Sequence, residues 1–136
     1  MDINWLAVVV AAVAAFVVGA LWYSPLLFAK AWQREIGISD TDLARGNMAR
    51  ILGSAFVLWL LATVVFHMFL GASPGAKFGA GAGFAAGLFW VAFGKGIDYL
   101  FERRSLRLFL INGGHSTVAF TVMGLVLGLM GGSAPQ

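Results

Sequence analysis

The chain has 136 residues, of which 60% are hydrophobic and only 11% charged, with a formal net charge of +3 and no cysteine. Soluble domains carry about 25% charged residues, so this composition excludes an ordinary water-soluble protein and predicts one membrane domain over residues 1–136. The lack of cysteine excludes disulfides, thiolate metal ligands and a cysteine nucleophile.

Four long apolar stretches each have about the length needed to cross a bilayer. A helix needs about 20 apolar residues to span a hydrocarbon core of about 30 Å. We therefore expect an all-α fold, an integral membrane bundle of four transmembrane helices, at about residues 5–28, 51–70, 77–100 and 106–130. No basic residue precedes the first stretch, which we interpret as a retained helix and not as a cleaved signal peptide.

The connection between the first two transmembrane helices contains two further helical signals. Residues 28–36 place their apolar side chains on one face, which predicts a short helix lying in the membrane interface and ending at Gly37. A capping box at residues 39–42 predicts the start of another helix, expected to continue through Met48 into the second transmembrane helix.

The distribution of basic residues predicts the orientation of the bundle. Eight of the nine Lys and Arg residues lie in the first connection or around the turn between the third and fourth helices, and the ninth, Lys77, lies in the second connection. Short basic loops stay in the cytoplasm, so both termini are expected to face outward. The basic loops suit anionic lipid headgroups, and this explains the pI near 9.8 without a nucleic-acid partner.

Small residues recur at intervals of four in the first, third and fourth helices. In lipid, helices associate where small side chains let their backbones approach. The stripes of the third and fourth helices are formed by Gly79, Gly83 and Gly87 and by Gly124 and Gly128. We expect one small-residue face to remain for a second copy, which gives a homo-oligomer; in the alternative, every stripe is used inside one bundle.

Polar side chains inside the predicted spans form the candidate site. Counted from the helix centres, most of them fall in a layer about 10–15 Å to the cytoplasmic side of the midplane. The layer consists of Tyr23, Ser24, Ser54, Lys95, Asp98 and Asn112. His115 lies about 5 Å from the midplane, but it shares a helical face with Asn112, and the candidate cavity is formed by Tyr23, Ser24, Lys95, Asp98, Asn112 and His115. Two interpretations stay open. In the first, Lys95 extends to the headgroups or pairs with Asp98, and Asn112 and His115 hydrogen-bond neighbouring helices. In the second, Lys95, Asp98, Asn112 and His115 line a cytoplasm-facing cavity for a proton or a small polar solute.

The sequence lacks the usual patterns of catalytic and metal sites. His67 and His115 are expected about 15 Å apart along the membrane normal, which is too far to share a metal ion. Gly-x-Gly patterns fall inside an apolar helix, where a phosphate has no access to water. We therefore assign no metal, no cofactor and no catalytic residue, and expect that the protein is not an enzyme.

Short motifs near the N-terminus carry a resemblance to a known family. They are Asn4-Trp5-x-Ala7, Gly19-Ala20-Leu21-Trp22-Tyr23-Ser24-Pro25 and Lys30-Ala31-Trp32. These motifs resemble a family of small four-helix bacterial membrane proteins classed as a domain of unknown function (DUF1761). The resemblance implies a four-helix fold in the bacterial cytoplasmic (inner) membrane. It carries no activity, but it makes residues 22–25 candidates for whatever role the family shares.

These observations lead to two expectations about function. The first is a non-enzymatic membrane protein that acts by packing with itself or with another membrane component. The second is an oligomeric transporter or channel for a small solute or a proton, which would use the polar layer. A dry layer in which Lys95 bonds Asp98 favours the first expectation, whereas an open cavity that reaches Lys95 and His115 favours the second.

Overall fold

The computed structural model describes residues 2–131, which form helices joined by short turns. In chain order the helices are α1 (Trp5–Trp22), α2 (Ala29–Ile36), α3 (Asp40–Arg45), α4 (Met48–Leu70), α5 (Ala76–Glu102) and α6 (Leu106–Met130). Helices α1, α4, α5 and α6 are long and apolar enough to cross a membrane. The predicted all-α fold with four membrane-spanning helices is confirmed; Met1 and residues 132–136, which the predicted domain includes, lie outside the described residues.

Helix α1 ends at Trp22, several residues before its predicted end, because Pro25 cannot continue it. Proline has no N–H to donate to the carbonyl of Leu21, and its ring crowds that carbonyl. The Leu21 carbonyl accepts hydrogen bonds from Ser24 instead, from the N–H at 3.2 Å and from the hydroxyl at 2.7 Å. The turn leads into α2, the short helix predicted after α1, which ends at Gly37 in the left-handed conformation (φ 74°).

Helices α3 and α4 are separate, which corrects the expectation of one continuous helix. Ser39 caps α3 as the sequence predicted, its hydroxyl accepting from the Asp42 N–H at 3.1 Å. The chain is extended at Gly46 (φ −70°, ψ 147°), and Asn47 then caps α4 by accepting from the Arg50 N–H at 3.1 Å. An extended residue followed by a fresh side-chain cap starts a new helix with its own axis.

The closest helix contact is between α5 and α6. Every glycine of the two predicted stripes lies against the backbone of the opposite chain segment, so that an added Cβ would contact backbone atoms there. These glycines are Gly79, Gly83, Gly87, Gly124 and Gly128. A methyl group on Gly124 would overlap the Gly79 carbonyl, and one on Gly83 would overlap the Phe120 carbonyl. The two stripes therefore pack against each other within a single chain, at a distance that only residues without a side chain allow.

A π-helical segment over Ala86–Ala92 interrupts α5, and the sequence analysis did not anticipate it. The small residues of α5 that face α6 are four apart as far as Gly87, then five apart to Ala92, and four apart again to Gly96. In a regular α-helix the five-residue step would turn Ala92 away from α6, but a π turn absorbs the extra residue. The segment thus keeps one face of α5 on α6 and places Lys95 beside their contact.

Helix α6 is central, with α5 on one side and α1 on the other. Ala7, Ala11 and Ala15 of α1 are buried in this core. Helix α4 packs mainly against α1, and its buried residues all lie in its C-terminal half. The N-terminal half of α4 instead borders a cavity that is also lined by residues of the predicted polar layer.

Candidate functional site

A cavity of about 750 Å³ lies between α1, α2, the N-terminal half of α4 and the inner faces of α5 and α6. Its walls are mostly apolar and include the rings of Phe16, Trp32 and Trp59. The predicted polar layer contributes four lining residues: Tyr23, Lys95, Asn112 and His115. Small-molecule sites in proteins typically measure about 300–1,000 Å³ and combine apolar walls with a few polar groups, and this cavity has both properties.

Asn112 links two tyrosines at the polar end of the cavity. The Tyr23 hydroxyl donates to Oδ1 of Asn112 at 2.6 Å, and Nδ2 of Asn112 donates to the Tyr99 hydroxyl oxygen at 2.8 Å. The three side chains come from the end of α1, from α6 and from α5, so the network ties three segments together. Tyr99 was not among the site residues predicted from the sequence. Its position four residues after Lys95, on the same helical face, was the available signal.

Lys95 reaches across from α5 to α6, where its Nζ donates to the Ser116 hydroxyl at 2.7 Å. Ser116 donates in turn to the Asn112 carbonyl at 3.2 Å. The ion pair with Asp98, which one of the two interpretations offered, is not formed, since the Asp98 side chain is exposed and has no hydrogen bond or ion pair within residues 2–131. Three residues advance an α-helix by about 300°, so the two side chains diverge by about 60°, and only Lys95 faces α6.

His115 lies among aromatic rings. Its ring centroid is 5.0 Å from that of Tyr23, 6.1 Å from that of Trp59 and 6.4 Å from that of Trp22. Its Nε2 is buried and has no hydrogen-bond partner in the described part of the chain. A Cβ at Gly19 would lie 3.1 Å from this nitrogen, so glycine leaves the space next to it. Buried polar atoms are normally paired, and Nε2 of His115 is an exception among the described residues.

Like Asp98, Ser24 was a predicted site residue and lies outside the cavity lining. Its hydroxyl donates to the Leu21 carbonyl, which makes Ser24 part of the turn after α1. Its neighbour Trp22 donates its indole N–H to the Ile111 carbonyl of α6 at 2.8 Å. The Trp-Tyr-Ser-Pro stretch therefore ends α1, fastens that end to α6 and directs Tyr23 into the cavity. These contacts explain the structural role of the Trp22–Pro25 part of the family motif.

The Asn4-Trp5-x-Ala7 motif has its contacts at the opposite end of the bundle. Asn4 caps α1 by accepting from the Ala7 N–H at 3.1 Å, and its own backbone N–H donates to Nε2 of His67 at 3.1 Å. His67 is thus paired where His115 is not. Over residues 2–131, no three His, Asp or Glu side chains are grouped closely enough to hold a metal ion.

Comparison with known proteins agrees with the motifs. A family model described as "Protein of unknown function (DUF1761)" matches residues 6–128. The chain belongs to this family. The resemblance predicted from the motifs is confirmed, and the match together with four long apolar helices makes this a multi-pass membrane protein of unassigned activity. Neither a curated protein nor a solved structure matches the chain.

Proposed function

We propose that the protein is not an enzyme but a transporter that binds a small solute in the cavity between α1, α2, α4, α5 and α6. The observation that supports this function is the convergence of four polar side chains of the predicted site on one cavity of about 750 Å³. Polar groups inside a membrane protein that face a cavity typically mark a solute pathway. This function is the second expectation from the sequence, and the geometry of Lys95, which faces the cavity and not Asp98, favours it.

Self-association, the first expectation from the sequence, has lost its main support. The glycine stripes of α5 and α6 pack against each other, and the alanine stripe of α1 is buried in the same bundle. The exposed apolar surface of α4 is what a lipid-facing helix needs and indicates no protein partner. We keep a homo-oligomer as a proposal on the ground that four helices enclose only a small interior.

We further propose that the protein lies in the bacterial inner membrane with both termini outside and the basic connections on anionic lipid headgroups in the cytoplasm. In this orientation the cavity opens toward the cytoplasm. A C-terminal alkaline phosphatase fusion should then be active in bacterial cells, and a C-terminal green fluorescent protein fusion should be dark. The reverse pattern would show that the orientation is inverted.

Access of water to the cavity can be tested with single cysteines, because the chain contains none. Ala55 of α4 lines the cavity, whereas Val57 on the same helix is 52% exposed on the outer surface and lies outside the lining. In nanodiscs we expect Ala55→Cys to react with a water-soluble methanethiosulfonate at least about tenfold faster than Val57→Cys, since the reactive thiolate requires water.

The two variants introduce the same side chain into the same helix at positions about 3 Å apart along its axis, so a difference in rate reports the cavity. Labelling after denaturation should be complete for both and confirms that each thiol is intact. If both cysteines react equally slowly in the folded protein, the cavity is dry and the proposed solute-binding function is wrong.

A further inference from the structure

Lys95 is the only Lys, Arg, Asp or Glu in the cavity lining that the structure describes. Within residues 2–131 its Nζ has one hydrogen-bond partner, the neutral hydroxyl of Ser116 at 2.7 Å. The carboxylate closest to it along the chain, Asp98, is exposed and outside the lining. Burying an ammonium group in a membrane without a counter-ion is costly, so an anion bound beside Lys95 would offset that cost.

The polar groups next to Lys95 leave hydrogen-bonding capacity free. An ammonium group has three N–H donors, and Ser116 takes one of them. Nε2 of His115 is unpaired as well, but it is buried. The hydroxyl of Tyr23 and the amide of Asn112 already bond each other at 2.6 Å. Lys95 therefore retains two N–H donors that can bind the oxygens of a ligand.

The other walls of the cavity are mostly apolar and fit a ligand whose larger part is apolar. Phe16, Trp32 and Trp59 contribute rings, and the lining residues of α4 are apolar. A cavity of about 750 Å³ is far larger than an inorganic anion, which would leave most of the apolar surface in contact with water. Pockets of this kind bind a molecule whose apolar part fills the walls and whose few polar atoms fix its orientation.

We propose that the cavity binds an organic anion with an apolar body, its oxygens on the Lys95 ammonium and its body against Phe16, Trp32 and Trp59. This proposal rests on the proposed function, because it names the solute class for that same site. The anionic group can belong to a free organic acid or to an anionic lipid that enters from the bilayer, since both present the same chemistry to Lys95.

Two thiol reagents of opposite charge test the proposal without knowledge of the natural ligand. The Ala55→Cys variant is labelled with the anionic sulfonatoethyl and the cationic trimethylammonium-ethyl methanethiosulfonate, and each rate is divided by the rate with free 2-mercaptoethanol. We expect the normalised anionic rate to exceed the cationic rate at least about tenfold, because a nearby unit charge concentrates counter-ions in a low-dielectric cleft.

Lys95→Gln should reduce this anion preference at least about fivefold, because glutamine keeps a hydrogen bond to Ser116 and removes the charge. The matched control is Lys77→Gln, which removes one positive charge from the start of the same helix but lies outside the cavity lining, and it should leave the preference unchanged. The two reagents are compared on the Ala55→Cys variant with Lys95 intact. The anion preference is therefore still measured if the Lys95→Gln variant does not fold.

Competition identifies the source of the anion. In phosphatidylcholine nanodiscs, 3-phenylpropionate should protect Ala55→Cys from labelling and its uncharged amide should not. Protection by added phosphatidylglycerol alone would assign the site to an anionic lipid instead of a free acid. Equal normalised rates for the two reagents, or equal protection by acid and amide, would overturn the anion proposal while solute binding stands. Labelling of Ala55→Cys no faster than that of Val57→Cys would overturn both.

Discussion

Replacement of Gly83 by alanine is expected to separate α5 from α6, whereas the same replacement at Gly81, two residues away, is expected to be tolerated. A methyl group on Gly83 would overlap the carbonyl of Phe120 and lie 3.1 Å from the Cα of Thr121. Both are backbone atoms, which can give way only if the helices move apart. A methyl group on Gly81 meets no atom within 4 Å.

We expect Gly83→Ala to lower the free energy of unfolding by about 3 kcal/mol or more, at the upper end of the cost of overpacking. Gly81→Ala should raise it by up to about 1 kcal/mol, because alanine has the higher helix propensity. Unfolding by sodium dodecyl sulfate in mixed micelles, followed by circular dichroism, measures both. A Gly83→Ala variant as stable as the parent protein would contradict the close α5–α6 contact.

The fold could be predicted from sequence where hydropathy alone decides it. Helices α4, α5 and α6 follow from apolar length, because a segment that crosses lipid must satisfy its backbone internally. The errors occurred where single side chains decide a helix end. Pro25 removes a hydrogen bond and ends α1 at Trp22, and Asn47 supplies a cap that separates α4 from α3. Hydropathy averaged over a whole span does not register a single hydrogen bond at a helix end.

Four of the six candidate site residues line the cavity, but their bonds could not be predicted. Depth counting selected Tyr23, Lys95 and Asn112, and a helical face shared with Asn112 added His115. Spacing along one helix cannot identify a partner on another helix, and so it offered Asp98 as the partner of Lys95 in place of Ser116. The five-residue step from Gly87 to Ala92 was visible in the sequence, but a π turn becomes necessary only once α6 is known to follow that face.

Replacement of Asn112 by leucine is expected to destabilise the bundle at the polar end of the cavity. Leucine has the same branched skeleton of four side-chain heavy atoms as asparagine, but it cannot accept from the Tyr23 hydroxyl or donate to the Tyr99 oxygen. Hydrogen bonds between membrane helices contribute about 0.6 kcal/mol on average and at most about 1.7 kcal/mol, so the loss of two should cost about 1–3 kcal/mol. The same detergent unfolding measures this loss.

A second set of variants separates the hydrogen bonds from the packing. Tyr23→Phe and Tyr99→Phe each remove one bond and should each cost less than Asn112→Leu. The triple variant with all three replacements leaves no unpaired polar group in the network, so it should recover part of the stability that Asn112→Leu alone loses. If the triple variant is instead less stable than Asn112→Leu, the tyrosine hydroxyls have other partners and the network does not join α1, α5 and α6.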